Sequence, residues 1–308
     1  MSDTSTAPEP PVVVGVDGSA HSLRALEWAL GHAESLGSPL VVAHVRSGTV
    51  RTPSPGSVPE PPDTVLRAVR TVVEERGHRV PVRYAPLDGT VTEALTAASR
   101  DARLLVTGSR GHGGFATLLL GSAGRTLAAT APCPLVVVPH EARTAALESG
   151  AGAGRVLLGL AADETPDAVV AFAFGTAQHR GVPLEVVTAF RIPPQPGALL
   201  AAPSPALQVP PPLPFEDDTE EILREAEREQ TALLAPFAER WPGVGLTASV
   251  VPGDATGRLV EGSRDAGLVV VGRHHRHRFG SLLLGSVTHA VLQHAYCPVA
   301  VVPPGPSV

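Results

Sequence analysis

Apolar residues in this chain follow two alternating rhythms. Unbroken Val-rich runs such as VVVGV (12–16) and PLVVAHV (39–45) carry no polar face, which is the pattern of strands buried on both sides in a parallel sheet. Between them, SAHSLRALEWALGHAESLG places Leu23, Leu26, Ala29, Leu30 and Ala33 on one helical face, with Ser19 as N-cap candidate and Gly37 as the stop. After a loop of about 17 residues, the spacing predicts a helix TVLRAVRTVVEERG (64–77), a strand VPVRYA (80–85), a helix TVTEALTAASRD (90–101) and a strand RLLVT (103–107). A glycine-rich loop, a helix from Ser122 and a strand PLVVVP (134–139) complete the series. Five strands joined by helical crossovers, with the usual right hand, predict a Rossmann-like, doubly wound α/β domain: a five-stranded parallel sheet with helices on both faces.

The series then starts again. SRDARLLVTGSR (99–110) returns as SRDAGLVVVGRH (263–274), and LLLGSAGRTLAATAPCPLVVVP (118–139) returns as LLLGSVTHAVLQHAYCPVAVVP (282–303), both 164 positions later. PVVVGVDGSA (11–20) answers RVLLGLAADE (155–164) at an offset of 144, taking Gly15 to Gly159. The difference of 20 residues is an insertion in the second half, RIPPQPGALLAAPSPALQVPPPLPF (191–215), whose nine prolines predict an exposed extended loop. The second half keeps its long helix, ILREAEREQTALLAPFAERW (222–241), with Ile222, Ala226, Leu233, Leu234 and Phe237 as its apolar residues. The expected organisation is a disordered N-terminus (1–10), one domain over 11–139, a Gly/Ala-rich linker over 140–153 and a second domain over 154–303.

GSRGHGGFATLLLGS (108–122) carries the candidate chemistry. A strand-to-helix turn needs one glycine, which accounts for Gly108 and leaves Gly111 and Gly121 unexplained. Glycine lets a ligand lie against the main chain, and a helix N-terminus offers unpaired N–H groups and the positive end of the helix dipole. The pattern therefore describes an anion cradle, with phosphate as the first candidate. In a doubly wound sheet, ligands sit at the carboxyl ends of the strands, where the strand order reverses. Asp17 ends the first strand and Gly108 the fourth, so they share a crevice if those strands are neighbours. Asp17 also reads as a turn or N-cap residue within DGSAHS, and the sequence leaves both readings open.

The chain has 308 residues, 43% hydrophobic and 18% charged, enough for two cores. Its net charge of -6 argues against nucleic-acid and anionic-membrane partners. No apolar run is long enough to cross a bilayer, and MSDTSTAPEPP lacks a basic region followed by an apolar one, so the expected location is cytoplasmic. Cys133 and Cys297 each precede a proline at equivalent positions of the repeat and read as small buried hydrophobes rather than a disulfide.

With these features the sequence resembles the universal stress proteins, and specifically their tandem two-domain members. The family's ATP-binding signature is Gly, two residues, Gly, nine residues, then Gly with Ser or Thr, and Gly108, Gly111, Gly121 and Ser122 fit it without a gap. The resemblance implies adenosine in the crevice, with Asp17 and Gly108 near the ribose and the main chain of Val45 at the adenine edge. Arg110, Gly111, Gly121, Ser122 and Ala123 would lie around the phosphates, with Mg2+ accompanying the ATP. It also implies a pseudo-dimer of the two domains, a homodimer as a further assembly, and a regulatory protein partner.

The second half departs from the pattern. Gly272, Gly285 and Ser286 keep their places, followed by Val287 and Thr288, whereas His275 replaces the second signature glycine and Ala161 replaces Asp17. RHHRHR (273–278) stands where the first half has SRGHGG, and a solvated basic loop, a cationic rim for phosphate and a metal site are all open readings of it. Three function classes follow. The resemblance implies a nucleotide-dependent regulator of stress response or dormancy. The same architecture serves slow ATP-hydrolysing and adenylyl-transferring enzymes. A scaffold without ligand is the third, and it leaves the intact signature unexplained.

Overall fold

The structure is a computed structural model that describes residues 9–46, 63–110, 120–140, 154–161, 164–190, 216–273 and 284–305. The first half runs β1 (Val12–Gly15), α1 (Ala20–Leu36), β2 (Leu40–Arg46), α2 (Thr64–Arg76), β3 (Val82–Asp88), α3 (Val91–Ala98), β4 (Leu104–Gly108), α4 (Ser122–Thr130) and β5 (Leu135–Val138). The second half repeats it as β6 (Arg155–Leu160), α5 (Asp167–Arg180), β7 (Leu184–Phe190), α6 (Glu216–Arg240), β8 (Leu246–Pro252), α7 (Ala255–Gly262), β9 (Ala266–Gly272), α8 (Ser286–His294) and β10 (Val299–Val302). The first-half caps follow the sequence: the Ser19 side chain accepts from the Ser22 N–H, and Gly37 closes α1 at φ 68°. At α3, Thr90 caps the helix by accepting from the Glu93 N–H, while its hydroxyl donates to the Glu93 carboxylate.

Each half holds five parallel strands, and the halves are not separate sheets. They form one ten-stranded sheet in the order β3-β2-β1-β4-β5-β10-β9-β6-β7-β8, in which β5 and β10 pair antiparallel. Val136 lies opposite Ala300, its own counterpart 164 positions on, with Leu135 opposite Val301 and Val137 opposite Val299. A pseudo-two-fold axis therefore passes through the seam, as in an isologous dimer. α1, α2, α5 and α6 cover one face of this sheet; α3, α4, α7 and α8 cover the other. Across the seam, the Arg180 guanidinium stacks 4.9 Å from the Trp28 ring, which in turn stacks on His32 at 4.8 Å. Burial, aided by the charges of Arg180, His179 and Arg103, pulls His32 down from 6.5 to about 3, so it is neutral in the fold.

Two expectations shift. β3 runs to Asp88 through Pro86, a residue that would break a central strand, because β3 is an edge strand and pairs with β2 alone. α6 begins at Glu216, and Ile222 is exposed rather than part of the apolar face. Ile222 lies about 80° around the helix from Gln230, whereas Leu223, two turns before it, shares its face. Gln230 is buried on that face, donating to the Thr188 hydroxyl at 2.9 Å and the Ser249 carbonyl at 3.1 Å. Cys133 and Cys297 are free and buried; burial pushes their thiols up to about 11 and about 12. The N-terminus (1–8), most of the linker and the whole proline-rich segment (191–215) lie outside the described residues.

Candidate functional site

β1 pairs with β2 on one side and β4 on the other, so the strand order reverses between β1 and β4. Asp17 and Gly108 thus sit at the carboxyl ends of neighbouring strands, at the switch point. Gly108 owes its identity to packing. A Cβ there would come within 2.8 Å of the His21 carbonyl oxygen, in the first turn of α1. Gly18 follows Asp17 at φ 82°, a left-handed turn. The Asp17 carboxylate accepts from the Ser19 N–H at 3.0 Å and from the Ser19 hydroxyl at 2.6 Å, which orders this turn. The turn reading of Asp17 is therefore realised, and its carboxylate is fixed at the mouth of the crevice.

On the other side, the Gly121 N–H donates to the Ser109 carbonyl at 3.0 Å, returning the chain to the point where it left β4. α4 begins there with no side-chain cap. Gly121 has φ -67°, a conformation open to any residue, and the nearest described atom to a Cβ on it would be the Ser109 carbonyl oxygen at 3.8 Å. Among the described residues nothing requires a glycine there, and its missing side chain leaves room over the N–H groups of the helix. Ser122 is exposed and Ala123 half-buried beside this opening. The Thr107 and Ser109 hydroxyls and the Arg110 Nε are buried close by, without partners among the described residues. Gly111, the second signature glycine, lies outside them.

The third wall is β2. Its pairing to β1 ends where the Val16 N–H donates to the Ala43 carbonyl at 2.8 Å. Main-chain groups alternate sides along a strand, so those of Val45 point the same way as those of Ala43, toward the crevice beyond the end of β1. Next to it, His44 Nδ1 lies 2.7 Å from the carboxylate of Asp63, which also caps α2 by accepting from the Leu66 N–H at 2.9 Å. Burial raises the Asp63 pKa, but the Leu66 N–H and His44 outweigh it and hold the carboxyl below its ordinary value. The His44–Asp63 pair, Thr107 and Ser109 were not singled out from sequence. An Asp directly before the helical run TVLR was the available signal for the first, and polar residues inside a buried strand run for the others.

In the second half the same frame is closed off differently. The Ala161 N–H donates to the buried Thr165 hydroxyl at 2.9 Å, and α5 starts at Asp167 with no side-chain cap. A Cβ on Gly272 would meet the Val169 side chain at 3.4 Å, a looser contact than at Gly108. Gly285 precedes α8, with Ser286 exposed and Val287 half-buried. The Thr288 hydroxyl is turned inward, donating to the Gly272 carbonyl at 2.9 Å, so it faces the sheet and not an incoming anion. His275 and the rest of RHHRHR after Arg273 lie outside the described residues.

A duplicated, doubly wound α/β protein with a glycine-lined helix N-terminus at its first switch point is the class these features define. The family description "Universal stress protein family" matches residues 10–139 and again 152–303. Universal stress protein Rv2005c of Mycobacterium tuberculosis is 32% identical over 301 residues, covering 94% of this chain and 96% of that one. A universal stress protein of Mycolicibacterium smegmatis is 32% identical over 310 residues, covering 97% and 99%. The crystal structure of a universal stress protein from Archaeoglobus fulgidus DSM 4304 shares the fold at a TM-score of 0.57 and 17% identity, over 96% of this chain and 98% of that one. The chain belongs to the universal stress protein family, as a tandem member with two family domains. No helix among the described residues is long and apolar enough to cross a membrane.

Proposed function

We propose that the first half binds ATP with Mg2+ in the β1/β4 crevice and that the protein acts as a nucleotide-dependent regulator of stress response or dormancy in the cytoplasm. The observation that carries this reading is the start of α4. It is an uncapped helix N-terminus opened by Gly121, whose glycine no described contact demands, at the spacing from Gly108 that the signature requires. Phosphates would take the N–H groups of Ser122 and Ala123, in the space that Gly121 leaves open, with Arg110 beside them. Adenine would face the main chain of Val45, and the ribose the Asp17–Gly108 edge.

The second half is proposed as a weak site or none. Ala161 offers no carboxylate, and the Thr288 hydroxyl is already bound within the fold. Loss of a charged hydrogen-bonding group alone weakens binding by about tenfold or more. Calorimetric titration of the whole chain with ATP and Mg2+ tests this. One tight nucleotide per chain, retained in His275→Val and lost in Gly111→Val, is the expected result; two equal tight phases would refute it. ADP release at saturating ATP decides whether the bound nucleotide is also consumed.

A further inference from the structure

Arg273 follows Gly272 at the start of the second half's loop, yet its side chain serves the first half. Its guanidinium donates to the Ala131 carbonyl at 2.7 Å, across 142 residues of sequence. Ala131 is the C-cap of α4, and is itself buried. α4 therefore has a cation from one half at its C-terminal end and the phosphate-type opening of the other half at its N-terminal end, about 13 Å away at 1.5 Å per residue. Both ends suit the helix dipole, which favours positive charge at the C-terminus and anions at the N-terminus.

The arrangement is one-sided. The counterpart of Arg273 in the first half, 164 positions earlier, is Ser109, too short to reach across the seam. Its hydroxyl has no partner among the described residues, and it lines a void of about 10 Å³ with Leu292, Ala295 and Cys297 of the second half. Arg273 Nε is likewise buried without a described partner, and burial lowers the pKa of the group, so the placement costs solvation. Packing alone would be met by an apolar side chain.

We propose that Arg273 is a positioning residue for the first half's nucleotide site, holding α4 by its C-terminal end so that Ser122 and Ala123 present their N–H groups in fixed register. The proposal rests on the assignment of ATP to the first half and adds that its affinity depends on the second. It also gives the duplicated half a role that does not require it to bind nucleotide.

The test uses the full-length chain. ATP with Mg2+ is titrated calorimetrically into wild type, Arg273→Met, which keeps the aliphatic stem, and Arg273→Lys, which keeps the charge. Hydrogen exchange of the α4 amides is followed without ligand. Removing the cation should weaken the tight phase about fivefold or more, within the usual range of coupling between sites, and should speed exchange in α4. Lysine should recover part of the affinity. Unchanged affinity in Arg273→Met overturns the proposal, even if the variant melts earlier, because a purely structural role moves melting and not affinity. Should Arg273→Met fail to fold, Arg273→Gln takes its place with the same criterion. A wild-type chain that binds no ATP overturns the site assignment itself, and this inference with it.

Discussion

Two glycines of one signature are glycines for different reasons, and substitution separates them. At Gly108 a methyl group would strike the His21 carbonyl, which belongs to helix backbone and cannot swing away. Gly108→Ala should therefore cost about 1 to 3 kcal/mol of stability with or without ligand, read by urea denaturation. Gly121→Asp should leave the ligand-free protein nearly unchanged, since the nearest described atom lies 3.8 Å from the new Cβ. It should abolish stabilisation by ATP, which at a hundred times the dissociation constant is worth about 2.7 kcal/mol and a melting shift of several degrees. An Asp variant that ATP still stabilises would remove α4 from the site. His32 gives a prediction in pH. Its pKa falls on folding from 6.5 to about 3, so the unfolded chain binds the extra proton between those values and stability drops as the solution is acidified. The loss should approach about 1.4 kcal/mol per pH unit well below 6.5, and His32→Leu should flatten that slope.

Helices α2 and α4 show how an element is held at the crevice. Asp63 does two things at the start of α2, capping the helix and meeting His44 on β2. Asp63→Ala should destabilise the protein by about 1 to 2 kcal/mol, the usual value of a cap, and Asp63→Asn should recover most of it by keeping an acceptor. The check is chemical denaturation near neutral pH. If the two variants lose equally, the carboxylate's charge beside His44 matters more than the cap. α4 lacks any such side chain at its N-terminus, and so does its counterpart α8, so the open helix end is common to both halves and the first is set apart by Asp17 and Gly111, where the second has Ala161 and His275.

For the whole molecule, the seam decides behaviour. β5 is buried along its length, β10 covers the edge that β4 leaves open, and the pairing is symmetric about Val136 and Ala300. A first half expressed alone, residues 9–140, would expose this strand as a bare edge, and an edge of that kind recruits another. The isolated half should dimerise through β5 in the same antiparallel register, with sedimentation showing a dimer that Val136→Lys returns to monomer. A monomeric isolated half would show that the pairing needs the helices on either side, including the stacking of Arg180 on Trp28.

The sequence by itself determined the order of strands and helices, the duplication and the spacing of the signature. These are local properties, set by hydrophobic period, caps such as Ser19, and turn glycines such as Gly37, each specified within a few residues. It also located the crevice conditionally, on β1 and β4 being neighbours. Tertiary structure alone decided that they are, that the two sheets fuse antiparallel at β5 and β10, and that Gly108 answers to a carbonyl of α1. It alone buried Gln230, left Ile222 exposed and brought Arg273 to the end of α4. The reason is common to all of these. Each depends on which distant segment lies alongside, and partner choice comes from packing the whole sheet and both helical layers at once, a quantity that no local pattern carries.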